Sequence, residues 1–290
     1  MQTRLIVLFT MLFSSVCQAK GENHAMLIFE RDSVYARLGE EAVPSKIMIQ
    51  RVIRDRDNNF FITGGFIGTV HMTDTLLADR GKFDFFIGKF SPSGSRIWIT
   101  VRASRGKEMG HDIAIDLLGN IHVVGIFDDS VFTFYSYPRT HQGKSGTDGI
   151  LYSFDSSGQE YRRRIVVSGA GIDGVFGVMA DRWHNIYVTG TYRGTAIIGR
   201  DTCTSRGHGD IFMLKLSPAG EFLVTQTYGT EWGDERGVAI TIGGVARIVN
   251  VHFDYNVEGG AKHHLWYDDF GMTDMNAFEI CQECLKLKIL

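Results

Sequence analysis

Proline is scarce in this chain, with 4 among 290 residues, and cysteine equally so, with 4. So few cysteines exclude a small fold held together by disulfides. Charge of one sign is also missing, since the formal net charge is −3. Nucleic acid and anionic membrane surfaces both call for a strong basic excess, so neither is indicated as a partner. Beyond the first twenty residues no run is long and apolar enough to cross a membrane as a helix. Gly-x-Ser-x-Gly, His-Glu-x-x-His and a dinucleotide glycine fingerprint are all lacking. No segment has a convincing amphipathic helical period. Glycine (34) and aromatics (12%) are abundant, and 44% hydrophobic residues suffice for a packed core. The balance points to an all-β chain.

The amino-terminal residues read as an export signal over 1–19. Arg4 supplies the positive charge, Leu5 to Phe13 the apolar stretch, and Ser14 to Ala19 the small-residue approach to cleavage. Cys17 raises lipidation as an alternative, against which Val16 occupies a place that usually holds a small residue. The expectation is a protein exported to the periplasm, cell surface or medium. Residues 20–290 are then one domain.

Two motifs recur in phase. Asp84 to Gly94, Asp148 to Gly158 and Asp210 to Gly220 superpose, with steps of 64 and 62 residues. Asp55 to Gly64, Asp116 to Gly125 and Asp181 to Gly190 form the second series, with steps of 61 and 65. Two motifs that keep one period define a repeat of about 62 residues. A fourth copy, Gly237 to Val251, keeps the hydrophobic pattern but loses the Asp and the closing Gly, and His264 to Gly271 loosely echoes the first motif. Repeats are expected at about 47–109, 110–172, 173–235 and 236–280, with 26–46 as a half-repeat that closes a ring. The third copy reads as strands over 176–180, 186–191, 211–216 and 222–228. Ser217-Pro-Ala-Gly220, like Ser91-Pro-Ser-Gly94 and Asp155-Ser-Ser-Gly158, has the residues of a tight hairpin turn. Strand 211–216 is apolar on both alternations until Lys215, so both of its faces should be covered. Stacked blades do this, and the predicted fold is a small β-propeller of four, or five, four-stranded antiparallel blades.

These residues resemble the bacterial SBBP-type β-propeller repeat, whose units carry D-x-x-G-N-x-Y-V-T-G and then D-x-F-x-x-K-x-x-x-x-G. The first pattern matches Asp116, Gly119, Asn120 and Gly125, and again Asp181, Asn185, Tyr187, Val188, Thr189 and Gly190. The second matches Asp84, Phe86, Lys89 and Gly94, and again Asp210, Phe212, Lys215 and Gly220. The similarity spans about residues 45–255. Trp183-His184 replaces the usual small turn, and Ser153 replaces the lysine. The resemblance implies an exported or surface-exposed propeller and carries no catalytic residues.

Several candidate sites have structural readings beside them. Asp84, Asp148 and Asp210 could form a cation-binding ring, or each could accept backbone N–H bonds at the turn into its strand, which recurrence in every copy favours. The glycines Gly64, Gly125, Gly190, Gly94, Gly158 and Gly220 read as structural repeat positions. Asp55 to Asn59 begins like a calcium loop, but Phe60 stands where glycine is needed and Phe66 where the twelfth-position acid belongs. Gly143-Lys144-Ser145 lacks the rest of a phosphate loop, and Ser91 to Trp98 lacks the Asp of a sialidase-type hairpin. Arg162-Arg163-Arg164 reads as a charged edge strand, with an acidic docking partner as the alternative. His263-His264 has no third ligand in the sequence, and Cys281-Gln-Glu-Cys284 no second pair, so no metal and no cofactor is assigned. The binding candidates are Phe132, Phe134, Tyr137 and Arg139, in the aromatic segment 127–146; the competing reading has these aromatics fill space between blades. The functional expectation is a non-catalytic binding or scaffold module for protein or glycan. The alternative is a polysaccharide-acting hydrolase or lyase with a loop-built site. Ligand identity and oligomeric state stay open at this stage.

Overall fold

The structure, a computed structural model, describes residues 25–30, 33–37, 45–80, 82–103, 106–128, 146–231, 233–242, 246–254, 262–271 and 279–280, with side chains within 45–231. Every regular element among them is a strand. In chain order these are β1 (Ala25–Glu30), β2 (Ser33–Arg37), β3 (Lys46–Arg54), β4 (Phe60–Ile67), β5 (Thr69–Met72), β6 (Thr75–Ala78), β7 (Asp84–Phe90) and β8 (Arg96–Arg102). There follow β9 (Glu108–Ile115), β10 (Ile121–Phe127), β11 (Asp148–Phe154), β12 (Glu160–Gly169), β13 (Gly174–Ala180), β14 (Ile186–Tyr192), β15 (Thr195–Ile198) and β16 (Asp201–Thr204). The last are β17 (Asp210–Leu216), β18 (Phe222–Tyr228), β19 (Gly233–Ile242), β20 (Ala246–Asp254), β21 (Lys262–Gly271) and β22 (Glu279–Ile280).

Four antiparallel meanders result: β3-β4-β7-β8, β9-β10-β11-β12, β13-β14-β17-β18 and β19-β20-β21-β22. The strands expected in the third copy match the observed ones to within two residues. They pack in chain order, β9 lying on β3, β4 and β7, β13 on β9, β10 and β11, and β19 on β13, β14 and β17. Strand alternation makes this stacking possible. On β4 and β7, Phe61, Phe85 and Ile87 face the second unit, where they join Ile121, Val123 and Tyr152 in one cluster. Their neighbours Phe60, Ile62 and Phe86 turn the other way, into a cluster with Val70 and Met72. Period-two strands apolar on both alternations thus bury both faces. Phe85 and Tyr152 stack across the first and second units at 5.0 Å. A fully buried Phe of this kind contributes about 2–3 kcal/mol.

Two features were not apparent beforehand. The segment after β14 is a hairpin, β15-β16, that extends the second unit's sheet by pairing β15 with β12. Its turns use Gly194 (φ 68°) and Gly199 (φ 61°), a left-handed conformation that glycine adopts without strain. The equivalent hairpin of the first unit, β5-β6, pairs instead with the amino-terminal hairpin β1-β2, with β1 parallel to β5. Residues expected to form a half-repeat therefore build a sheet with β5 and β6, and β1 and β2 also rest on β3.

The repeat glycines have a geometric cause. Each innermost strand carries a β-bulge, at Gln50, His111, Phe176 and Val238. The bulge pushes a carbonyl toward the second strand, opposite Gly64, Gly125 and Gly190. A Cβ there would lie 1.8–1.9 Å from the oxygen of Met48, Met109 or Gly174. In the fourth unit the corresponding pair is Gly237 and Asn250, so here the glycine is on the bulged strand.

Candidate functional site

The turns joining first to second strands share one bonding scheme. Asp55, Asp116 and Asp181 each accept, on Oδ1, the backbone N–H groups two and four residues ahead, at 2.8–3.0 Å. On Oδ2 each accepts the side-chain amide of Asn59, Asn120 or Asn185 at 2.8–2.9 Å. The residue before that Asn must be left-handed. It is Asn58 (φ 62°), Gly119 (φ 82°) and His184 (φ 64°). Glycine meets this demand freely, and histidine is strained there.

Just beyond each turn the repeats diverge. On strands two and three, Phe61 faces Lys89, His122 faces Ser153, and Tyr187 faces Lys215. In the first unit Lys89 Nζ lies 3.0 Å from Asp55 Oδ2 and 5.0 Å above the Phe61 ring. In the third, Lys215 lies over Tyr187, whose hydroxyl donates to Asp181 Oδ2 at 3.1 Å. The second unit has neither lysine nor ring. His122 Nδ1 is 2.9 Å from Ser153 Oγ. His122 Nε2 stands 3.8 Å from Asp116 Oδ2, too far for a hydrogen bond, and His184 Nδ1 of the third unit stands 3.3 Å from the same oxygen. Burial raises the Asp116 pKa, but the His122 imidazole and the Asn120 amide outweigh it and hold the carboxyl well below its ordinary range.

A cavity of about 320 Å³ opens at this point, lined by Asp116, Leu118, Asn120, His122, Tyr161, His184 and Pro218. Of its lining, Leu118 (72%) and Tyr161 (46%) are exposed, and Leu117, adjacent in the chain, is exposed too and lines the neighbouring groove. Asp116, His122 and Ser153 have the residue types of a nucleophilic triad. Ser153 has no exposed surface, however, so a substrate carbonyl has no path to its Oγ. A neighbouring groove of about 400 Å³, between the first and second units, gathers Arg54, Arg56 and Lys89 with Asp55, Asp57 and Asp116. Two of its cations are engaged already, Lys89 by Asp55 and Arg54 by the ring of Phe60.

Asp84 accepts the N–H of Arg80, Asp148 that of Gly169, and Asp210 those of Arg206 and Gly207. All three are buried, each at the start of its own strand. Among the described residues no three His, Cys, Asp or Glu are arranged to hold a metal ion. Gly94, Gly158 and Gly220 are left-handed, at φ 83°, 85° and 79°. Trp98 of the first unit covers Gly158 of the second, and Arg162 of the second covers Gly220 of the third. Arg162 also donates to the Pro218 carbonyl and Arg163 to Glu160, so these arginines serve contacts within the protein. Phe132, Phe134, Tyr137 and Arg139 lie outside the described residues, as do Gly143 to Ser145, Cys281 and Cys284. His263 and His264 fall on β21. Cys203 is a free, partly buried thiol whose pKa burial raises.

The sequence marked Ser153 and Trp183-His184 as departures from the repeat, yet nothing in it connected them with each other or with His122. The aligned motif did offer a signal: His122 occupies the place of Phe61 and Tyr187.

No family model matches the chain. It is similar to an uncharacterized WD repeat-containing protein, L264, of Acanthamoeba polyphaga mimivirus, with 27% identity over 153 residues. The match covers 48% of this chain and 11% of that protein, so the chain spans about a tenth of its relative. Together with the stacked four-stranded meanders, this likeness makes the fold an all-β, propeller-type repeat array, suited to a binding or scaffold role. No helix of the described residues is long and apolar enough to cross a membrane.

Proposed function

We propose that this protein is an exported, non-catalytic module of SBBP-type repeats that binds a protein or glycan ligand at its turn-bearing end. One observation carries the reading. Repeat symmetry is broken where the second unit meets the third, and there exposed Leu118 and Tyr161 line a polar cavity. In the first unit the residues matching Leu117 and Leu118 are Arg56 and Asp57. An apolar rim around buried polar groups is the make-up of a recognition surface. Export rests on residues 1–19, and fusing them ahead of a reporter active only outside the cytoplasm tests that part.

The binding test probes residues 20–290, and the same chain carrying Leu118→Asp, against protein and glycan arrays. Leu118 is exposed, so this substitution leaves stability within about 0.5 kcal/mol. A ligand held by the wild type and lost by the variant supports the reading. The alternative, a polysaccharide-acting hydrolase or lyase, draws on two imidazoles, a carboxylate and a phenol meeting in one cavity. Turnover of a sugar polymer with no array ligand overturns the binding module in favour of the enzyme.

A further inference from the structure

We propose that two copies of this protein pair through β18, antiparallel and about a twofold axis, so that the third unit's sheet continues into that of the second copy. The inference goes beyond the ligand reading above and does not depend on it, since β18 lines neither cavity.

Among the described residues β18 is the outer strand of its sheet, in the order β13-β14-β17-β18. Alternate residues of such a strand aim their N–H and C=O groups out of the sheet, where they form a template for another strand. The outer strands of the first two units are protected by charge. β12 carries Arg162, Arg163 and Arg164, and β15 pairs with its last residues, Val167 to Gly169. β8 begins and ends on arginine, at Arg96 and Arg102. β18, Phe222-Leu-Val-Thr-Gln-Thr-Tyr228, has no charge, proline or glycine. The stretch between β20 and β21, 255–261, is also shorter than the hairpin that reaches β12, which runs from Thr195 to Thr204.

The strand is already held in extended form. Phe222 packs on the buried cluster that contains Leu214 and Leu216, and Thr225 Oγ1 donates to the Ile198 carbonyl at 3.5 Å. Leu223 (50%) and Tyr228 (44%) are exposed. Pairing therefore costs little further backbone entropy.

The lack of charge makes a second copy the fitting occupant, because β18 meets its own image without like charges facing each other. A bulge at Leu223 disturbs the start of the strand and leaves Val224 to Tyr228 in regular register. A twofold axis through Gln226 sets Val224 against the second copy's Tyr228, and Thr225 against its Thr227. A β-branched residue against an aromatic and threonine against threonine are both favourable cross-strand pairs, and the symmetry repeats each one. Such a pair closes on itself, so a dimer forms and not a fibre. The contact is smaller than a standard interface, so association is weak, with a dissociation constant on the order of 10–100 µM.

The test is sedimentation velocity on residues 20–290 between about 1 and 500 µM, with a reductant present to prevent thiol cross-links, beside hydrogen–deuterium exchange at both ends of that range. The wild type is expected to pass from monomer to dimer, with exchange of the β18 amides slowing at high concentration. Thr227 is exposed, so Thr227→Lys should melt within about 2 °C of the wild type. It is expected to associate about tenfold more weakly or worse, because it places an ammonium group on the open edge. Thr227→Val, which keeps a β-branched side chain without charge, is expected to dimerise like the wild type. The inference is overturned if the chain stays monomeric throughout, if Thr227→Lys associates as tightly as the wild type, or if association leaves exchange in β18 unchanged.

Discussion

Gly125 lies directly against the carbonyl of Met109, two residues before the bulge at His111, so that a Cβ at this position would come within 1.9 Å of the oxygen. Gly64 and Gly190 stand in the same relation to Met48 and Gly174. Gly125→Ala must therefore displace either the bulge or β10, and both belong to a tightly packed interior. A destabilisation of about 2–4 kcal/mol is expected, read as a lower urea midpoint with little change in slope.

Asp112 sets a pH dependence. It sits on β9, accepts the N–H of Val178 at 3.0 Å and faces Arg51 Nε at 3.0 Å, joining three units. Burial raises its pKa from 3.8 to about 6, and the attraction of half-exposed Arg51 and the backbone N–H groups offset only part of this. The folded state then holds the proton more tightly than the unfolded chain. The stabilisation is complete below the unfolded pKa of 3.8 and is lost as pH rises through about 6. Asp116, shifted the opposite way, contributes stability that is present above 3.8 and lost at more acid pH. Thermal melts should show stability declining between about pH 4 and 6.5, and Asp112→Asn should flatten that limb while leaving the acid limb in place.

Asp181 makes three hydrogen bonds to its own turn and accepts a fourth from Tyr187. Replacement by Ala leaves those donors to water where they are exposed and unmet where they are buried. A loss of about 1–3 kcal/mol is expected in chemical denaturation.

His184 occupies a left-handed position that the second unit fills with Gly119. His184→Gly should relieve about 1 kcal/mol of strain and raise the melting temperature by about 2–4 °C. The imidazole beside Asp116 disappears in the same step. A stabilised protein with weakened ligand binding is the expected pair of results, by calorimetry and titration respectively.

Much of this architecture is local and so can be read along the chain. A strand announces itself by alternation over a few residues, and the Asp–Asn and Pro–Gly turns close through bonds spanning four residues or fewer. Such patterns repeat because each unit solves the same short-range problem, which is why four units, their turns and the burial of both faces of β17 were legible without coordinates. The β15-β16 hairpin was not. Thr195 to Ile198 is too short to stand out, and it becomes a strand by pairing with β12, which precedes it by a whole unit's first two strands.

The cavity belongs entirely to the fold. Asp116 and His184 are separated by more than one full repeat, and only the stacking of β13 on β9 and β10 brings them to 3.3 Å. Sequence specified which residues depart from the repeat. Their convergence depended on the packing of one sheet over the next, because contacts between units are made through space and leave no period along the chain.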